Sequence, residues 1–123
     1  MLTDSQIVRL LDIANAGCHK GMVMEARTIY EGILAVLPGH APALIGRALS
    51  HIVIGEYGQA ETILRSEVLS ENPDDPEGRV MLGLCLFLAD KKDEAEEILQ
   101  PLAEEEHSSA ELAKSLLEQI RQA

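Results

Sequence analysis

Aromatic residues are nearly missing from this chain of 123 residues, which has Tyr30, Tyr57 and Phe87 and no Trp. Its core must therefore be built from Leu, Ile, Val, Ala and Met, a set that suits helices. Positive charge is also scarce, with 10 Lys and Arg against 21 Asp and Glu, a net charge of −11 and a pI near 4.6. Such a surface repels a phosphate backbone, and no basic stripe offsets it, so nucleic acid is excluded as a partner. Long hydrophobic runs are absent. The longest strongly apolar uncharged stretch, Val80 to Ala89, is interrupted by Gly83 and falls well short of the roughly 20 residues that span a bilayer. No membrane insertion is expected. Cys18 and Cys85 have no CxxC spacing and read as reduced packing residues in a reducing compartment. The first residues, Met1 to Gln6, carry Asp4 and no apolar segment, which argues against a secretory signal and for a cytoplasmic location.

Recognisable catalytic patterns are missing too. His19, His40, His51 and His107 are scattered, without HExxH or paired Cys/His spacing, so neither a metal nor a cofactor is expected. His51 reads as a core or half-buried histidine. Gly46, Gly55 and Gly58 lack the Lys-Ser/Thr ending of a phosphate loop, and Ser50 and Ser66 have no adjacent base. The expectation is that the protein is not an enzyme. Asp74-Asp75, Glu94 to Glu97 and Glu104 to Glu106 read as solvated surface.

What the chain does contain is one phrase written three times. Gly21, Ala26, Tyr30 and Pro38 return as Gly55, Ala60, Leu64 and Pro73, and again as Asp90, Ala95 and Leu99. The alanines are 34 and 35 residues apart, a period that signals stacked helix pairs. Each unit reads as helix A, a tight turn, helix B and a proline stop, over about 4–38, 41–73 and 76–107. Pro42 and Pro76 suit the first turn of a helix, and Gly21 and Gly55 sit where a helix end needs positive φ. The small alanines let helices A and B approach closely, and Tyr30, Leu64 and Leu99 fill the space between units. The second unit has one extra residue before Pro73. Pro101 falls inside the third helix B and should kink or shorten it. A capping helix over about 108–122, with Leu112, Leu116 and Ile120 as its apolar stripe, should close the stack.

These motifs resemble the tetratricopeptide repeat over about residues 4–107. The resemblance implies a single all-α domain: three helix pairs plus a C-terminal capping helix in a short right-handed solenoid. The chain departs from the pattern in lacking Trp and in placing Arg47 and Arg79 where large apolar residues are usual. In such a stack one side of each A helix packs inward and the other lines a concave groove. The groove side is read as Leu11 and Cys18 in unit one, Ile45, Leu49, Ile52 and Val53 in unit two, and Val80, Leu84, Phe87 and Leu88 in unit three. Val8, Asn15 and His19 are also on the unit-one side. The family's carboxylate clamp for acidic peptide ends needs Lys, Arg and Asn, but here Leu11, Gly46, Glu77 and Met81 occupy those places and only Asn15 remains. An apolar groove is better matched to an amphipathic helix. The other reading open at this point is that the groove is filled by the N-terminal segment or by self-association with a neighbouring subunit.

Size, acidity and the three repeats together resemble the small chaperones of bacterial type III secretion, most of all the needle-subunit type. That resemblance implies a bacterial cytoplasmic chaperone holding an amphipathic helix of a needle or export subunit and preventing premature polymerisation. It also implies a second small helical co-chaperone as partner. The alternative is a stable scaffold or assembly subunit of a larger complex.

Overall fold

The computed structural model describes residues 2–122. Helices α1 (Asp4–His19), α2 (Val23–Val36), α3 (Ala41–Ile52), α4 (Tyr57–Ile63), α5 (Pro76–Leu88), α6 (Lys92–Ala103) and α7 (Ser108–Gln122) follow one another, with no strand among the described residues. Local chemistry sets their ends. Thr3 caps α1 in a reciprocal box with Gln6: the Gln6 N–H donates to Thr3 Oγ1 at 3.2 Å and the Thr3 N–H to Gln6 Oε1 at 2.9 Å, which satisfies donors that the first turn leaves free. The Asp75 carboxylate does the same for Glu77 and Gly78, with Pro76 as the first helical residue.

The turns inside the three pairs share one backbone solution. Gly21 and Gly55 adopt φ of 83° and 80°, and Asp90 adopts 65° at the equivalent place. Glycine enters that region freely, whereas a residue with a Cβ is strained there by about 1–2 kcal/mol. The third pair is therefore closed by a less favourable residue than the first two.

The extra residue of the second unit is absorbed by a single π-helical turn, Leu64–Val68, that continues α4. Its signature is the Leu69 N–H donating to the Leu64 carbonyl at 2.8 Å, a five-residue step. The wider turn brings Val68 and Leu69 against Gly78 in the first turn of α5. Pro101 lies inside α6, which ends two residues later at Ala103. Pro101 has no N–H to give the Glu97 carbonyl, and Glu97 is exposed to solvent.

The pairs stack through α1, α3, α5 and α7, each touching the next, while α2, α4 and α6 pack on these helices and, among the described residues, not on one another. The first set is thus the tight inner layer and the second the splayed outer one. Ala26, Ala60 and Ala95 are essentially fully buried, and so are Tyr30, Leu64 and Leu99 one turn on. Close approach is most demanding at Gly46 of α3, where a Cβ would penetrate the Tyr30 ring. Arg47 and Arg79, placed where apolar residues were expected, instead reach acids: Arg47 Nη2 lies 2.7 Å from Glu67 Oε2, and Arg79 makes a two-pronged contact with Glu105 at 2.8 and 3.0 Å.

One expectation for α7 needs correction. Its buried residues are Ala110, Ala113, Leu116, Leu117 and Ile120, whereas Leu112 is 47% exposed. The inward stripe follows 110, 113, 117 and 120, and Leu112 sits about 100° round the helix from Ala113.

Two stability outcomes follow. Asp90→Gly should raise the urea-unfolding free energy by about 1 kcal/mol; an unchanged or lower value would mean that Asp90 is not strained. Gly46→Ala should lower it by about 1–3 kcal/mol through collision with Tyr30, measured in the same titration.

Candidate functional site

The inner layer presents a row of aliphatic side chains that its own packing leaves uncovered. Leu49 on α3 and Val53 at its C-cap are one turn apart, Met81, Leu84 and Leu88 follow on α5, and Leu112 adds a further residue on α7. Val53 is 40% exposed and Leu88 44%, while Leu49, Met81 and Leu84 are half-buried. Between α5 and α7 the surface dips into a hollow of about 400 Å³ bordered by Glu77, Val80, Met81, Ser108 and Leu112. Large apolar groups held half in water on adjacent helices can take up the apolar face of another helix.

Burial divides the ten residues expected in the groove. Leu49, Val53, Leu84, Phe87 and Leu88 keep accessible surface, with Phe87 half-buried against the core. Leu11, Cys18, Ile45, Ile52 and Val80 do not: they are at most 9% exposed and belong to the protein's own core. The reason is geometric. Adjacent inner helices approach closely enough that the flank of each groove face is consumed by its neighbour. At the α1 end, the exposed groove positions are Val8 and His19, with Asn15 partly covered and accepting a hydrogen bond from the Tyr30 hydroxyl. Burial raises the Tyr30 pKa, as does its contact with Cys18, so the phenol stays protonated.

Met81 and Leu112 are the groove residues that sequence spacing missed. By sequence, Met81 matches a clamp position and Leu112 the apolar stripe of α7. The signal that finds Leu112 is its place beside Leu116, one turn away and at the edge of burial at 8% exposed.

The opposite face holds a cleft of about 610 Å³ bordered by Glu31, Arg47, His51, Gln59 and Thr62. Of its polar groups, Arg47, His51 and Thr62 already have partners within the chain. Arg27 Nε donates to Ser50 Oγ at 2.9 Å, Arg27 Nη2 lies 2.7 Å from Glu56 Oε1, and His51 Nδ1 lies 2.8 Å from the same oxygen. The hydrogen bond from Arg27, with that of His51, holds the Glu56 carboxyl below its usual pKa. This network ties α2 to α3 and to the turn before α4, a structural role. Burial pushes the Cys85 thiol up to about 11, so it is no nucleophile at neutral pH. Among the described residues no three His, Cys, Asp or Glu side chains converge on a metal position, and no helix is long and apolar enough to cross a membrane.

Comparison with known proteins agrees with this architecture. A family model described as tetratricopeptide repeat matches residues 55–120, more than half of the chain. No curated protein matches the sequence. The fold is similar to that of the type III secretion translocator chaperone SycD of Yersinia enterocolitica, with a TM-score of 0.74 at 19% identity, covering 99% of this chain and 88% of that one. A second SycD structure, an alternative dimer, gives a TM-score of 0.77 at 19% identity, with 98% and 95% covered. The Sgt2 TPR domain from Aspergillus fumigatus gives 0.79 at 21% identity, covering 98% of this chain and 79% of that one.

One electrostatic latch joins α5 to the turn between α6 and α7. Glu105, in the turn between α6 and α7, bonds Arg79 of α5 and also accepts from His107 Nε2 at 3.0 Å. The Arg79 guanidinium, followed by His107, draws the Glu105 carboxyl down from 4.5 to about 2. A depressed carboxylate contributes stability above its unfolded pKa and loses it as pH falls through the folded one. Melting temperature should therefore fall with acidification between about pH 4.5 and 2, and Glu105→Gln should flatten that part of the profile. An identical acid slope in the variant would remove the latch.

Proposed function

The chain belongs to the tetratricopeptide repeat family, and from that premise we propose that it is a bacterial cytoplasmic chaperone for a type III secretion needle or export subunit. It acts as a single domain whose three helix pairs and α7 form a cradle. An amphipathic helix of the client lies in that cradle and is kept from polymerising. The observation that carries this reading is the uncovered aliphatic row of Leu49, Val53, Met81, Leu84, Leu88 and Leu112 on the inner layer, with Phe87 beside it. The absence of Lys and Arg among these residues turns the reading away from acidic peptide ends and towards an apolar helix face. The fold shared with SycD, a secretion chaperone, supports it.

Burial of one large aliphatic anchor is worth roughly 1.5–3 kcal/mol, so three or four anchors suffice for a complex that survives purification yet releases its client. A second small helical protein completes the assembly in this reading. No catalytic step is part of it.

Co-expression with small helical needle and export subunits of type III secretion tests the proposal. The wild-type chain should keep one of them soluble and monomeric, and Val53→Asp or Leu84→Asp should abolish that while circular dichroism stays native. Met24→Asp, on an outer-layer residue 66% exposed, should change nothing. Retention of the subunit by both groove variants overturns the groove. A client that never exchanges with added free subunit, and stays bound at fixed stoichiometry in the final assembly, replaces the chaperone with a scaffold.

A further inference from the structure

The two ends of the stack are finished differently. At one end α7 turns Ala113, Leu116, Leu117 and Ile120 inward and leaves Glu111, Lys114, Glu118 and Arg121 in water. At the other end, the outer side of the α1–α2 pair is apolar and uncovered within the described residues. Ile13 is 56% exposed and Met22 50%, with Leu10 and Ile29 half-buried beside them. Between them lies a hollow of about 310 Å³ whose floor is small side chains, Ala14, Gly17 and Ala26. It continues into a second hollow of about 200 Å³ at Leu2, Gln6, Arg9, Leu10 and Ile13. Ile13 borders both. Such a surface offers a knob and a hole on one face.

We propose that this α1–α2 end is a two-fold interface with a second copy of the chain. Charge decides the occupant. Residues 1–38 hold Asp4, Asp12, Glu25 and Glu31 against Arg9, Lys20 and Arg27, a net of −1, so residues 39–123 carry −10 of the total −11. Two copies meeting by this end bring nearly neutral surfaces together, with most of the acid more remote and screened over about 8–10 Å. Contact through other faces opposes acid to acid. The hollow is also flanked by opposite charges, Lys20 and Glu25. Among the described residues neither makes an ion pair within the chain. A two-fold axis sets the Lys20 of one copy against the Glu25 of the other, twice, while Ile13 enters the partner's Ala/Gly floor. A partner of uniform charge leaves one of the two unmatched. The interface uses the side of α1 that bears Leu10, Ile13 and Gly17, not the side that bears Val8 and Asn15, so it is independent of the client groove.

Sedimentation equilibrium of the full chain tests it. The wild type should show a concentration-dependent mass rising to twice 13.4 kDa. Ile13→Glu, at an exposed position that leaves the fold intact by circular dichroism, should weaken the dimer about tenfold or more. Lys20→Glu and Glu25→Lys should each weaken it, and the double variant should recover it, a rescue that only facing charges produce. A wild type that stays monomeric at about 100 µM, a concentration at which even a weak specific interface is populated, overturns the proposal. So does an Ile13→Glu dimer of undiminished strength, or a dimer lost instead in the groove variant Val53→Asp.

Discussion

The structure depends on how closely its helices can approach at three alanines. Ala26, Ala60 and Ala95 remove side-chain bulk where helix B meets helix A, and one turn later Tyr30, Leu64 and Leu99 fill the space that the approach encloses. With three aromatics in the whole chain, there is little large-residue volume to bridge a wider gap. The helices must come to one another. Gly46 beneath the Tyr30 ring is the extreme case, because there even a methyl group has no room.

That constraint also explains how the irregular copies survive. An added residue in a helix would rotate every later side chain by about 100° and carry Val68 and Leu69 off the next unit. The π-helical turn at Leu64–Val68 takes up the residue locally, so Leu64 stays in place and the following contacts with Gly78 are kept. Arg79 is handled by partnership, with its charge matched by Glu105 and its stem held against the stack. In the third unit, Asp90 accepts a positive φ and α6 stops just beyond Pro101. Each device keeps the spacing of the small residues.

The candidate groove follows from the same spacing. Because the inner helices touch consecutively while the outer ones are splayed, the inner surface is concave and each inner helix loses part of its free face to its neighbours. What remains is a narrow line of half-exposed side chains instead of a broad apolar face. This is why Ile45 and Val80, apolar and on the right helices, belong to the core, while Val53 and Leu88, near the helix ends, remain in solvent.

Periodicity in the chain alone determined the helix pairs, their turns and the family, since recurrence of Gly, Ala and Pro at 34 and 35 residues reports local backbone and close-packing needs that sequence carries directly. Single-residue features were equally legible: a positive φ at Gly21 and Gly55, helix starts at Pro42 and Pro76, an extra residue before Pro73. Helical angle could also name the side of α3 and α5 that faces inward. What only the tertiary structure decided is how much of that side is left over. Exposure is set by the distance to the neighbouring helix, which no residue of α3 or α5 encodes by itself. It therefore took the assembled layer to move Leu11, Cys18, Ile45, Ile52 and Val80 into the core, and to bring Met81 and Leu112 to the surface beside Leu84 and Leu88.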